Sequence, residues 1–284
     1  MVGGVIPRPT ILVFDSGLGG LTVLRETIRV MPAARYVYVA DDGYFPYGNH
    51  SEAEIIARVV PLIGELIAAH APDLVVIACN TASTLVLADL RAAYAVPFVG
   101  TVPAIKPACA RSRSKRVSVL GTRGTVAREY TQTLIRSFAQ GCAVTLVGAP
   151  RLAALAEAAL AGETVSDAEI AAEIAPCFVA DGSARTDTVA LACTHYPLLL
   201  DRLTALAPWP VEWIDPAPAI ARRVTTLLGT RPTANLSPPG DPRLIFTSGR
   251  SRAGLRPRLA AFLEGTRAPA DAAPGRFDTS ALSP

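Results

Sequence analysis

Short runs of consecutive apolar, often β-branched residues recur along the chain, separated by longer stretches of mixed polarity. The runs are ILVFD (11–15), YVYVA (36–40), LVVIAC (74–79), FVGT (98–101), RVSVLGT (116–122), VTLVGA (144–149), TVALAC (188–193), VEWID (211–215) and LIFTSG (244–249). They lack the strict alternation of a half-exposed sheet and read as strands covered on both faces. Between them, helices are predicted over 52–69, where Ser51 can cap, and over 151–161, 167–179, 217–228 and 252–264. Pro61 inside the first of these counts against an unbroken helix. Strands alternating with helices predict an α/β fold with largely parallel sheets. The stretch from 267 on has no hydrophobic period and is expected to be disordered.

Composition narrows the function. The chain has 284 residues, 50% of them hydrophobic and 18% charged, enough for one large or two smaller domains with a substantial core. Net charge is +3, and the 27 Lys and Arg are scattered; the one dense run, RSRSKR (111–116), reads as a solvated loop. No nucleic-acid partner is expected. No apolar stretch approaches the ~20 residues of a membrane span, and MVGGVIPRPT lacks the basic and apolar segments of a signal peptide. A cytoplasmic protein without membrane contact is the expectation. Five cysteines (79, 109, 142, 177, 193) form no CxxC, and the three histidines (50, 70, 195) are far apart, so no metal is expected and the thiols should be free.

In open α/β sheets, ligands gather beyond the carboxyl ends of the strands. Asp15-Ser16-Gly17, Cys79-Asn80-Thr81, Gly121-Thr122 through Thr125, and Cys193-Thr194-His195 all fall at such ends. A cysteine at a strand end is ordinarily packing, and Cys109, Cys142 and Cys177 are read that way. Cys79 and Cys193 differ. Both end apolar strands, both have polar neighbours, and both precede residues able to start a helix whose dipole would favour a thiolate. The chain thus reads as two related α/β halves, each carrying one thiol to a shared groove. Inverting an amino-acid α-carbon needs a base on one face and an acid on the other, which a thiolate and a thiol supply symmetrically. Pyridoxal phosphate chemistry would need an anchoring lysine. Lys106, between Pro103 and Pro107, and Lys115, in the Arg-rich loop, are the only lysines and fit that role poorly. A cofactor-free two-base racemase fits.

Seven segments, in order, are similar to the bacterial glutamate racemases of the aspartate/glutamate racemase superfamily: VFDSGLGGLTVLRE (13–26), FPYG (45–48), ACNTAS (78–83), FVGTVPAIKP (98–107), GTRGTV (121–126), LAEAAL (155–160) and CTHYPL (193–198). SGLGG alone could pass for a dinucleotide fingerprint, but it lacks the third glycine spacing. The resemblance implies two similar α/β domains with the active site between them, 1–103 plus 211–265 and 104–210, followed by a disordered tail (266–284). It implies Cys79 as the base acting on the D-isomer and Cys193 on the L-isomer, Asp15 assisting Cys79, and His195 with Glu157 assisting Cys193. Asp15, Ser16, Tyr47, Gly48, Asn80, Thr81, Thr122, Thr125, Thr194 and His195 match substrate-binding positions; without the resemblance, Glu157 would read as a solvated charge. No cofactor or metal is implied, the small-molecule substrate is glutamate, and D-glutamate would feed peptidoglycan synthesis. A homodimer is the assembly left open. The chain departs from the family at Asp42-Gly43-Tyr44 and at Asn49-His50, where His50 reads as a surface residue. Rival readings are an aspartate or hydantoin racemase, although aspartate enzymes of this type tend to carry Glu where His195 stands. A cysteine hydrolase using Cys193 and His195, or an amino-acid-binding protein, are readings of other classes.

Overall fold

The computed structural model describes residues 8–139, 141–229, 240–249 and 253–264. The expected disordered tail lies outside them. Two parallel sheets form the frame. The first orders its strands β11-β2-β1-β3-β4, with β1 Thr10–Asp15, β2 Arg35–Ala40, β3 Leu74–Ile77, β4 Phe98–Gly100 and β11 Arg243–Phe246. The second orders them β10-β9-β5-β6, with β5 Arg116–Gly121, β6 Ala143–Gly148, β9 Thr188–Ala192 and β10 Glu212–Ile214. Every neighbouring pair within these two sheets is parallel. The nine apolar runs therefore all become strands, as expected. An antiparallel hairpin, β7 Ala180–Asp181 with β8 Ala184–Arg185, was not anticipated.

Both faces of each sheet are covered, which is why the strands read as unbroken apolar runs. Along β1, Ile11 and Val13 face one core with α1 (Leu21–Val30) and α10 (Ala217–Leu228). Leu12 and Phe14 face the opposite core with α2 (Glu52–His70) and α3 (Asn80–Ala93). This is the period-two alternation of a strand, with both faces apolar. In the second sheet, Val189 and Leu191 pack with α7 (Leu152–Ala161) and α8 (Asp167–Ile174), while Ala190 and Ala192 pack with α4 (Ile105–Arg111).

Ser51 caps α2 in a full capping box: its hydroxyl accepts from the Glu54 N–H, and the Glu54 carboxylate accepts from the Ser51 N–H. The helix runs through Pro61 unbroken. An interior proline costs about 3 kcal/mol. Burying Ile55, Val59 and Ile63 completely returns about 1.5–3 kcal/mol apiece, so packing wins. The predicted helix 167–179 instead stops at Ile174 and gives way to a 3₁₀ turn at Ala175–Cys177, because Pro176 has no N–H to donate to the carbonyl four residues back. Of the predicted helix 252–264, a 3₁₀ turn occupies Ala253–Leu255 and α11 runs Arg256–Glu264; residue 252 lies outside the described residues. The basic run 111–116 is held at its base, where Asp187 accepts from Ser112 Oγ (2.6 Å) and from the N–H groups of Arg113 and Ser114.

Strand pairing bears on the division proposed from the sequence. Residues 212–214, assigned to the first domain with the span 211–265, pair with β9 in the second sheet. The chain returns to the first half only with α10, which packs on α1 through the core shared by Leu21, Leu24, Ile220 and Val224. A division near 215 fits the pairing better than one at 211.

Candidate active site

The carboxyl ends of the two sheets bring together the residues singled out in the sequence. Asp15 is the last residue of β1, Cys79 lies two residues beyond β3, Thr122 follows β5 and Cys193 follows β9. Asp15, Ser16, Tyr47, Cys79, Asn80, Thr81, Thr125, Cys193, Thr194 and His195 are buried; Gly48, Thr122 and Glu157 are half-buried.

On one side, Cys79 is the N-cap residue of α3 and its Sγ is 3.5 Å from Ser16 Oγ. Burial pushes its thiol up to about 12, and the charges of Asp15 and Cys193 push the same way, against the Ala82 N–H and the Ser16 hydroxyl. Asp15 accepts from the Gly17 N–H (3.0 Å) and from Thr194 Oγ1 (3.0 Å), so a residue of the second half holds a carboxylate of the first. Burial raises the Asp15 pKa, opposed by His195 and by these two hydrogen bonds.

On the other side, His195 Nδ1 lies 3.7 Å from Cys193 Sγ, and His195 Nε2 lies 3.0 Å from Glu157 Oε1. The Gly19 N–H also points at Nε2, 3.2 Å away. One ring nitrogen cannot accept from Gly19 and donate to a carboxylate at once. The shorter, charge-assisted contact decides, and Nε2 carries its proton toward Glu157. Burial works against the imidazolium, but the contacts with Cys193 and Glu157 outweigh it and hold the His195 pKa well above the usual value. The expectation of a helix dipole at both thiols holds for Cys79 alone. Beyond Cys193 the chain bends into a 3₁₀ turn at Tyr196–Leu199, and α9 (Leu200–Leu206) starts seven residues after the thiol.

The SGLGG turn shows why glycine is needed there. A Cβ on Gly17 would sit 2.2 Å from Glu157 Oε1, and one on Gly19 2.5 Å from His195 Nδ1 and 2.6 Å from the His195 backbone nitrogen. These glycines let β1's turn approach the second half, where the Leu18 N–H donates to Glu157 Oε1 (2.7 Å).

Across the cleft, Thr81, Thr122 and Thr125 form a triangle of hydroxyls with Oγ1 separations of 3.2, 3.2 and 2.9 Å. Thr122 also caps α5 (Arg123–Ala127) through the Thr125 N–H. Beside it, both polar atoms of the Asn80 amide are buried without a hydrogen-bond partner, a state that costs about 1–3 kcal/mol per group. A ligand carrying both donors and acceptors would satisfy them.

The Tyr47 hydroxyl donates to Asp41 Oδ2 (2.7 Å). Asp41 is fully buried and also takes a bidentate pair from Arg58 and a hydroxyl from Thr247. Its carboxyl therefore lies low: burial would raise it, and these partners outweigh burial. The divergent Asp42 accepts from the Ser248 N–H (2.9 Å) and Ser248 Oγ (2.7 Å). His50 is not a free surface residue: it is half-buried, and its ring stacks on Tyr44 at 3.7 Å.

Sequence reasoning missed Arg128. Its guanidinium is buried, Nη1 pairs with Glu52 at the start of α2, and Nε has no partner. Among the described residues, no three His, Cys, Asp or Glu side chains gather as a metal-holding group, and no helix is long and apolar enough to cross a membrane.

Residues 17–224 match the family model described as Asp/Glu/Hydantoin racemase. The chain is 56% identical over 259 residues to the glutamate racemase of Brucella ovis, covering 91% of this chain and 94% of that protein. Among solved structures it is similar to Escherichia coli glutamate racemase in complex with L-glutamate and the activator UDP-MurNAc-Ala, with TM-score 0.80 and 39% identity, covering 92% of this chain and 96% of that one. It is also similar to the Thermus thermophilus enzyme in complex with β-chloro-D-alanine, with TM-score 0.69 and 28% identity, covering 91% and 94%. A chain with two parallel α/β sheets, paired strand-end thiols and this breadth of likeness belongs to the Asp/Glu/hydantoin racemase family.

Proposed function

We propose that the protein interconverts L- and D-glutamate without a cofactor, using Cys79 and Cys193 as a two-base pair. The observation that carries this reading is that each half delivers one buried thiol to the same cleft, each with its own proton-managing partner. Asp15 and Ser16 attend Cys79; His195 and Glu157 attend Cys193.

In the L-to-D direction, the Cys193 thiolate takes the α-proton and the Cys79 thiol delivers its own proton to the opposite face. Cys193 ends as a thiol and Cys79 as a thiolate, and the reverse direction exchanges the roles. The raised Cys79 pKa suits its part as acid. The imidazolium of His195, fixed by Glu157, stabilises the thiolate that begins the reaction. The hydroxyl triangle and the Asn80 amide offer neutral donors for carboxylates, and buried Asp15 offers an acceptor for the ammonium. Enclosure strengthens each of these contacts and shields the carbanion-like species from water. The product would supply peptidoglycan synthesis, in the cytoplasm. The named relatives favour glutamate over aspartate or hydantoin, as does His195.

Purified protein mixed with L-glutamate and no additive should lose optical rotation toward zero, with chelator present or absent. Cys79→Ala and Cys193→Ala should each abolish this, because a missing acid on one face blocks inversion from both directions. Racemisation by either single variant, or a requirement for added cofactor, would end the two-base reading.

A further inference from the structure

The Cys79 face carries little positive charge. Asp15 and Cys193 act on Cys79 as negative or potentially negative groups, and burial keeps the nearby phenols of Tyr38 and Tyr47 neutral. His195 and Glu157 serve the other thiol, and Arg58 is neutralised by its bidentate pair with Asp41. A dicarboxylate substrate would add two further negative charges. Arg128 stands out against this background. It joins the end of α5 to the start of α6 (Glu129–Phe138), and its carbonyl accepts from the Thr131 N–H while Thr131 Oγ1 donates to the Thr125 carbonyl (2.7 Å). Its place is thus tied to the hydroxyl triangle. Around Gly124, a Cβ would lie 3.7 Å from Arg128 Nη2, 3.8 Å from Gly48 Cα and 3.9 Å from Thr122 Oγ1, so the guanidinium borders the same corner of the cleft. Its side chain is 7% exposed whereas that of its partner Glu52 is 66% exposed. Water therefore screens the carboxylate more than the guanidinium, and the pair is not neutral toward the interior.

Building on the two-base reading, we propose that Arg128 is a positioning residue for the Cys79 face: clasped by Glu52 across the two halves, it supplies the positive charge that favours a thiolate at Cys79 and a carboxylate on the Thr81–Thr122–Thr125 triangle. The role is electrostatic and needs no contact with the reacting carbon. Burial works against the Arg128 cation, while Glu52 and the Cys79 charge favour it; by reciprocity, the cation favours the thiolate.

The test is the rate of iodoacetamide alkylation at Cys79 and at Cys193, followed separately by peptide mapping of the full-length protein from neutral to alkaline pH. Arg128→Gln should raise the pH midpoint of Cys79 alone, slowing its alkylation near neutrality about tenfold. Arg128→Lys should recover part of that rate, and Glu52→Gln, which keeps the cation, should not slow Cys79. The KM for glutamate should rise in Arg128→Gln and fall back in Arg128→Lys. Equal slowing at both thiols, no slowing at either, or Glu52→Gln behaving like Arg128→Gln would overturn the proposal. Because alkylation is read without turnover, a wild-type protein that racemises beside an unshifted Arg128→Gln removes this inference alone, and a wild-type protein that does not racemise removes the reading beneath it.

Discussion

Replacing Gly19 with alanine adds one methyl group at the closest approach of the two halves. That carbon would stand 2.6 Å from the His195 backbone nitrogen and from Thr194 Oγ1, and 2.5 Å from His195 Nδ1, where ordinary contact begins at 3.4 Å. The Thr194–His195 segment must therefore retreat by about 0.8 Å (3.4 minus 2.6), and because one obstacle is backbone, no side-chain rotation relieves it. A shift of that size stretches the Thr194–Asp15 bond from 3.0 Å beyond hydrogen-bonding range and moves His195 off Cys193. Misplacement of reacting groups by about 1 Å costs about 100-fold in rate, and strain of this kind costs about 1–3 kcal/mol of stability. The assay is kcat and KM from circular dichroism in both directions, with a thermal melt alongside. Gly240→Ala, whose Cβ would meet nothing within 4 Å, is the control and should be silent. The equilibrium constant between enantiomers is one, so kcat/KM must fall by the same factor from either side. A Gly19→Ala protein with wild-type kcat would refute the claim that these two halves meet at catalytic distance.

Three further outcomes follow from named contacts. His195→Asn should lower kcat/KM equally in both directions, with the L-to-D loss falling on kcat rather than KM; an effect confined to KM would reassign His195 to binding. In D₂O, D-glutamate formed early from L-glutamate should carry deuterium at the α-carbon while recovered L-glutamate stays largely protiated; protiated product would point to one mobile base. Asp187 is held at about 2, since hydrogen bonds from Ser112, the Ser114 N–H, Thr188 and the Arg113 N–H outweigh the upward push of burial. A lowered carboxylate stabilises the fold above its ordinary pKa and ceases to as pH falls through about 2. Asp187→Ala should therefore cost about 1 kcal/mol near neutrality, discounted for solvent screening, with the gap to wild type closing in strong acid; a pH-independent gap in denaturant melts would contradict this.

The strands were legible because each is buried on both faces, leaving apolar runs with no polar interruption. Several helices were not. The first turn of α3 is Asn80-Thr81-Ala82-Ser83, whose buried polar residues serve the cleft and hide the helical period that begins with Val86 and Leu90. The two thiols and His195 could be found from position alone, as polar residues at strand ends. Glu157 could not: on an Ala-rich helix it reads as solvated, and only the resemblance pointed to it. Its reach to His195 depends on Gly17 leaving room from the other half of the chain. The same limit hid Arg128 and Asp41, whose partners lie 76 and up to 206 positions away, distances over which no local pattern operates. Tyr47 was picked out by the resemblance, whereas the bond from its hydroxyl to Asp41 left no signal in the sequence.

The strand completing the first sheet, β11, lies downstream of the entire second sheet, and its end supplies Thr247 and Ser248 to Asp41 and Asp42. On a ribosome, β1 to β4 emerge early yet must wait with one edge of β2 unpaired until 143 residues more (243 minus 100) bring the chain to β11. The second sheet, contiguous from β5 to β10, can close in the meantime. The rim around Tyr47 is thus among the last parts of the molecule to set. The nascent chain passes through a stage in which one half is finished and the other presents an open apolar edge, the kind of intermediate that chaperones intercept.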